Sequence, residues 1–390
     1  MLRTQDPALL FAEFEKHLLK LPSGETRINL KDLLPSELEQ LCKSMGEPKY
    51  RAQQLIRWIY VRLETDFEKM TDLGKPLRAR LQELCCVPQL DLHKHQISGE
   101  QDTDKYLFRL SDGALVESVR MRYLEHLGPG RVAVCISSQV GCAMACDFCA
   151  SGLAGLKRNL ATWEIVDQVM RIQTLIAERG ERVANVVFMG IGEPLQNYDN
   201  MLRSIKLMHL GEGLGIGHRH LCISTSGLVP QILKLAQEKL PIRLAISLHA
   251  TNDNLRNEMM PVNRRWPIAE LLAACREYQR LTDRRITFEY IMLDGVNDSI
   301  AEAERLGEML RGMRSLVNLI PWNPVEGARY HRSPAARIRA FQHRVEDFGI
   351  KCTVRQEKGS DIDAACGQLR LQEAELLKRP ARARAQAEGA

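Results

Sequence analysis

A chain of 390 residues, 45% of them hydrophobic, has enough apolar material for one large core and a smaller one. Its net charge of +5 is a mild basic excess that suits an RNA partner without singling one out. Eleven cysteines scattered over so long a chain exclude an extracellular disulfide framework and point to a reducing cytoplasm, while the N-terminus has no signal-peptide run and no apolar stretch is long enough to span a membrane.

Residues 1–27 read as an N-terminal extension. An amphipathic run, Leu9 to Leu19, is followed by Pro22-Ser-Gly24 and is expected to pack loosely on the rest. Residues 28–90 read as a self-contained helical accessory domain. Ser36-Glu-Leu-Glu39 predicts a capping box opening a helix that ends near Gly46. Apolar residues at helical spacing predict a second helix over Tyr50–Leu63 and a third over Lys75–Cys86. Arg51, Arg57, Arg62, Arg78 and Arg80 on these helices form a solvated face by default, with RNA contact as the sharper reading. Cys85-Cys86 reads as packing. Residues 91–128 form a strand-rich extension, with a hairpin made of Lys105–Leu110, a turn at Ser111-Asp-Gly113, and Ala114–Met121. Glu117 interrupts the apolar run of its strand, which on residue type alone makes it a solvent-facing position.

From 129 to 370 strands and helices alternate. Strands are predicted at 185–189, 220–224, 242–247, 286–292 and 316–320, with a further one at 351–355. Helices are predicted at 163–178, 199–208, 229–239, 268–281, 300–311 and 334–347. Thr162 and Ser333 stand at N-cap positions, Pro334 at a first helical position and Gly180 past a helix end. With the strand ending at Cys135 this makes six βα units, and the fold class is α/β: a parallel sheet with outer helices, closed or partly closed as in a TIM barrel. Residues 371–390 are a basic tail, expected to be disordered.

One loop concentrates the chemistry. Cys142, Cys146 and Cys149 stand in a C-x3-C-x2-C pattern directly after the apolar run Val132–Ile136. Three thiolates can hold three irons of a cubane and leave the fourth iron open, whereas electron-transfer clusters use four protein ligands. The spacing resembles that of radical S-adenosylmethionine (SAM) enzymes, in which the amino and carboxylate groups of SAM chelate the open iron. A zinc knuckle would need a fourth Cys or His close by, and the neighbouring histidines are no nearer than His126 and His209.

Further motifs fall where barrel strands end, the face at which parallel barrels carry their chemistry. Gly190-Ile-Gly-Glu-Pro194 lets a ligand approach the backbone and offers the Glu193 carboxylate to an ammonium group. Ser224-Thr-Ser-Gly227, Ser247-Leu-His-Ala250 and Asn323 supply hydroxyls, an imidazole and an amide. Each alone reads as a helix cap or a core residue; at successive strand ends they line one pocket. Cys366, in Gly359-Ser-Asp-Ile-Asp-Ala-Ala-Cys-Gly-Gln-Leu369, lies in a small-residue loop beside two carboxylates, a setting for reactivity rather than packing. Cys135 is the candidate to approach it. Cys42, Cys222, Cys275 and Cys352 read as core.

Together these motifs resemble the RlmN/Cfr family of radical SAM RNA methyltransferases, and most closely its RlmN branch. Lys157-Arg-Asn-Leu160, Glu289-Tyr-Ile-Met-Leu293, Ile320-Pro-Trp-Asn-Pro324 and, in the helical domain, Tyr50–Tyr60 and Met70–Leu73 add to the likeness, which covers roughly residues 28–370. The resemblance implies a partial (βα)6 barrel as the radical SAM core over 129–370, with the helical domain contacting RNA. It implies that Cys142, Cys146 and Cys149 hold a [4Fe-4S] cluster and that Gly192, Glu193, Ser224, Ser247, Leu248, His249 and Asn323 contact SAM. Cys366 becomes the S-methylated cysteine, Cys135 the thiol that later forms a disulfide with it, and Glu117 the general base. Two SAM molecules are used per turnover, the electrons coming from a donor such as flavodoxin or ferredoxin. The product is 2-methyladenosine in 23S rRNA near the peptidyl-transferase centre and in the anticodon loop of tRNA. The alternatives are methylation of the same rRNA adenine at C8 and, from another class, a non-catalytic iron–sulfur RNA-binding factor that would have no need of Cys366 or Cys135.

Overall fold

The computed structural model describes residues 6–123, 130–153, 155–324, 328–356, 358–364 and 368. Near the N-terminus a helix, Pro7–Glu13, precedes a hairpin of β1 (Leu18–Lys20) and β2 (Thr26–Asn29). The strand β3 (Cys85–Cys86) pairs parallel with β2, so the end of the helical region closes back on its beginning. This N-terminal helix is not loosely attached: Leu10 and, just after the helix, Phe14 are buried in the common core. Helices Pro35–Ser44, Tyr50–Ile56 and Lys75–Leu84 surround this small sheet, the second running on as a π-helical turn over Arg57–Val61. Cys85 and Cys86 are buried in the strand that pairs, as packing residues.

Helix starts fall one or two residues from where composition suggested. At the first of these helices the Leu34 N–H donates to the Glu37 carboxylate at 2.7 Å, because Pro35 with its preset φ takes the first helical position. At helix Thr162–Ala177 the Ala161 N–H donates to Glu164 at 2.8 Å, which makes Thr162 the first helical residue rather than the cap. Pro334 is itself the cap of helix Ala335–Glu346.

A sheet of ten strands organises the rest. Its antiparallel part is β4 (Asp91–Ile97), β5 (Thr103–Arg109), β6 (Leu115–Arg122) and β7 (Arg131–Cys135). The edge strand β4 adds to the predicted hairpin; with only Leu92 and Ile97 as large apolar residues it has no alternation to betray it. Beyond β7 a two-stranded ribbon, β8 (Gln139–Gly141) and β9 (Leu156–Asn159), frames the cysteine loop. The parallel part then runs β7, β10 (Arg182–Phe188), β11 (Leu221–Thr225), β12 (Arg243–Ser247), β13 (Ile286–Met292), β14 (Ser315–Pro321) and β15 (Lys351–Val354). Strand order follows chain order throughout. Every crossover therefore steps the same way, and since such crossovers are right-handed the helices all fall on one face. The sheet curls into a partial barrel, and β15 and β4 remain its two open edges.

The helical region is fastened to this barrel by charge buried in the seam. Lys31, 1% exposed, pairs with the fully buried Asp167 of helix Thr162–Ala177, which also accepts the Leu90 N–H at 2.6 Å. Leaving one partner of such a pair uncompensated costs on the order of 3–5 kcal/mol, so the contact is not readily opened. Arg120 of β6, also fully buried, ties Asp104 on β5 at 2.6 Å to Glu181 at the start of β10 at 2.7 Å. Among the described residues no helix is long and apolar enough to cross a membrane.

Candidate active site

The C-terminal ends of the barrel strands and the cysteine loop enclose one cavity. From the loop it is lined by Cys142, Cys146 and Cys149; from the β10 end by Gly190, Gly192 and Glu193; and from the ends of β11 and β12 by Ser224, Ser247 and His249. Leu248 and Asn323 are buried but are not part of the cavity wall. For Leu248 the reason is alternation: its neighbours Ser247 and His249 take the cavity side, and its own side chain goes into the core.

Backbone constraints set the loop. Gly141 has φ +78, and a Cβ there would lie 1.9 Å from the Gly155 carbonyl oxygen that accepts the Cys142 N–H at 3.0 Å. Only glycine fits. A Gly141→Ala chain should fold but load iron poorly, because strain of about 1–3 kcal/mol and the clash both fall on the residue before the first cysteine; iron per chain against the parent is the measurement. Gly192, at φ +110, packs on Gln139, whose Cβ would stand 2.6 Å from an added Cβ. That close approach lets Gln139 accept the Glu193 N–H at 2.8 Å.

Electrostatics separate the roles. Burial pushes the Cys142 thiol up to about 12, and Cys146 well above the usual range, with its two fellow cysteines adding to the effect. Thiols held this way ionise only with a strong Lewis acid bound. Among the described residues no group of three or more His, Cys, Asp or Glu side chains is arranged to hold a single metal ion. A cubane asks for something else, one thiolate to each of three irons, and three cysteines around one cavity suit it. Glu193 is buried, which raises its pKa against the pull of its donors, the Ser226 N–H and hydroxyl at 2.7 and 2.8 Å, the Leu195 N–H at 3.0 Å and the Thr225 hydroxyl. It is both a cap and a cavity carboxylate. His249 accepts the Ile291 N–H at Nδ1, 3.1 Å away, so its proton sits on Nε2. Burial, then Arg256, lowers its pKa to about 3, and the imidazole is neutral.

Three contributors were not among the predicted site residues, although Glu289 opens one of the motifs that carry the resemblance. Arg256 is fully buried and donates to the carbonyls of Ser226 at 2.7 Å, Ser247 at 2.9 Å and Leu248 at 3.0 Å, knitting two strand ends together. Burial lowers its pKa only to about 10, so it stays cationic beneath the cysteines. Glu289, its carboxyl raised by burial, and Arg355 also line the cavity.

Glu117 and Cys135 stand on neighbouring strands. Cys135 pairs across from Val119, and Glu117, two residues along the same strand, shares that face. Glu117 is 5% exposed, not solvent-facing, and its Oε1 lies 3.4 Å from Lys105 Nζ. Lys105 also donates to the Asp363 carbonyl at 3.4 Å, and the Gly99 N–H donates to Asp361 at 2.8 Å. The segment leading to Cys366 is thus docked on β5 and the turn before it, beside the strand that carries Glu117. Cys366 itself and the tail 371–390 lie outside the described residues. Of the cysteines read as core, Cys42, Cys275 and Cys352 are buried and Cys222 is partly so. In the helical region Arg51 and Arg80 donate to the Asp72 and Met45 carbonyls at 3.1 Å each and Arg78 pairs with Glu68 at 3.4 Å, which leaves Arg57 as an exposed cation and Arg62 stacked on Trp58.

Residues 28–87 match the family model described as ribosomal RNA large subunit methyltransferase N-terminal domain, and residues 136–306 that of the radical SAM superfamily. The chain is 48% identical over 370 residues to a protein of Symbiobacterium thermophilum named "Probable dual-specificity RNA methyltransferase RlmN", the match covering 95% of each. A protein of the same name from Desulforamulus reducens is 47% identical, over 89% of this chain and 97% of that one. A crystal structure of a radical SAM methyltransferase from Sphaerobacter thermophilus superposes with a TM-score of 0.83 at 46% identity, covering 88% of this chain and 99% of the other.

Proposed function

The chain belongs to the RlmN family of radical SAM RNA methyltransferases, and on that premise we propose that it forms 2-methyladenosine in 23S rRNA at the peptidyl-transferase centre and in the anticodon loop of tRNA, in the cytoplasm. As a radical SAM enzyme it uses a [4Fe-4S] cluster and SAM. Cys142, Cys146 and Cys149 would hold the cluster, which when bound supplies the electron for reductive cleavage of SAM and so the radical that draws hydrogen from an S-methyl group. Gly192, Glu193, Ser224, Ser247 and His249 would seat SAM by their side chains or close backbone, Leu248 and Asn323 from just behind the wall. The single observation that carries this reading is the convergence of the cysteines and these residues on one cavity at the strand ends.

The rest of the chemistry falls to three side chains. Adenine C2 is electron-poor, so polar methyl transfer from SAM to it fails. Cys366 would accept the methyl group first, as a thiolate displacing S-adenosylhomocysteine. After hydrogen abstraction its methylene carbon adds to C2. Glu117 would take the C2 proton as the adduct gives up its unpaired electron to a one-electron carrier such as flavodoxin or ferredoxin. The Cys135 thiolate would then attack the Cys366 sulfur, forming a disulfide and expelling the methylene carbon, which takes up a proton to become the methyl group of the base. The shared face of Glu117 and Cys135, and the docking of 358–364 through Lys105 and Gly99, support these roles. The base must be splayed out of its strand, as single-stranded RNA permits.

Mass spectrometry of ribosomal and transfer RNA from cells with and without the gene tests the proposal. Loss of 2-methyladenosine from both RNAs is expected. A change at 8-methyladenosine instead would transfer the activity to C8, and no change in any methyladenosine would reject the enzymatic scheme.

A further inference from the structure

A second cavity, of about 440 Å³, lies beside the first, between the ends of β14 and β15 and the N-terminus of helix Ala335–Glu346. That is room for a phosphate group and several waters at about 30 Å³ each. Arg355 lines both cavities. We propose that this second cavity is a binding subsite for a backbone phosphate of the RNA substrate, next to the target adenosine.

Four observations carry the assignment. Arg332, Arg339 and Arg355 line the cavity, and among the described residues no carboxylate does. The helix that opens there is 12 residues long, and its first N–H groups have no intrahelical acceptor, the natural seat of an anion. Ser333 lines the cavity at 3% exposure, and its hydroxyl has no hydrogen-bond partner among the described residues. A buried hydroxyl left unmatched is destabilising, and a phosphate oxygen is the acceptor it lacks. Finally, Arg339 is exposed and makes no ion pair among the described residues. The nearby carboxylates Asp294 and Asp298 are engaged by Arg337 instead, at 2.5 and 3.0 Å.

The placement suits the chemistry. RNA-binding proteins set register through phosphate contacts and read the base separately. A phosphate held here, with Arg355 as the shared wall, would leave the attached nucleotide at the mouth of the SAM cavity. The subsite rests on the reading of the chain as acting on RNA, and it names where that RNA is gripped.

The test uses the full chain with its cluster reconstituted and a 23S rRNA transcript as the probe. Arg339→Glu should weaken binding by about tenfold, the worth of one charge-assisted hydrogen bond, and should lower the slope of log affinity against log salt by about one. Ser333→Asp, which sets a carboxylate against the phosphate, should do the same. Cluster absorbance equal to the parent's shows that the core is intact in both. Affinity and slope equal to the parent's in both variants would overturn the subsite while leaving the methyltransferase reading standing. A parent chain that neither binds nor methylates RNA would overturn both.

Discussion

Replacing Cys146 with alanine should leave anaerobically reconstituted protein nearly colourless, and reductive cleavage of SAM should fall by more than about 100-fold, beyond what outer-sphere changes at metal sites bring. Each thiolate is asked to hold a separate iron, so removal of one leaves two ligands for a four-iron group. The surroundings supply no substitute. Among the described residues the other side chains of the cavity wall that could ligate iron are Glu193, Glu289 and His249. The first is committed to the donors of Ser226 and Leu195, the second accepts from Asn318 at 2.7 Å, and the third is held through Nδ1. Iron analysis, absorbance and assay of 5′-deoxyadenosine measure the outcome. Full iron loading with normal SAM cleavage in the variant would remove the foundation of the proposed chemistry.

Removing the two other cysteines one at a time should give opposite results. In Cys366→Ala no sulfur is present to receive the first methyl group, and methylated adenosine should fall to background while SAM cleavage persists. In Cys135→Ala the methyl carrier is intact and carbon–carbon bond formation proceeds, but no thiol is left to break the Cys366 sulfur–carbon bond. Enzyme should therefore accumulate covalently joined to RNA, visible as a band that survives denaturation and disappears on nuclease digestion. Glu117→Gln should also accumulate enzyme joined to RNA, in an adduct that still carries its C2 hydrogen, since that proton has no base to receive it. A Cys135→Ala enzyme that turns over at the parent's rate would show that release does not pass through a disulfide. The two effects are the largest expected here because each variant blocks the sequence outright instead of slowing it.

Much of the architecture was legible beforehand, and for a definite reason. The βα alternation is written in apolar spacing, and spacing is a local property: strand β13 and helix Ile268–Thr282 fall within a residue of their predicted bounds. Capping was read less well. Glu37 and Glu164 mark the helix starts by reaching back to Leu34 and Ala161, and Ser36 and Thr162, two residues and one residue past those caps, drew attention from them. Strand β4 was missed because an edge strand with both faces partly wet needs no hydrophobic alternation.

By itself the sequence determined the order of strands and helices, the three-cysteine loop and the candidates at the strand ends, since all of these depend on residues close together in the chain. Only the tertiary structure decided that Glu117 is buried and shares a face with Cys135, that Leu248 turns into the core, and that Arg256, Glu289 and Arg355 belong to the site. A lone charged residue carries no periodicity. Its meaning comes from partners brought to it by folding: the carbonyls of Ser226 and Ser247 for Arg256, and the Lys105 ammonium for Glu117. Burial then raises the worth of each such contact by removing the water that would otherwise compete for it.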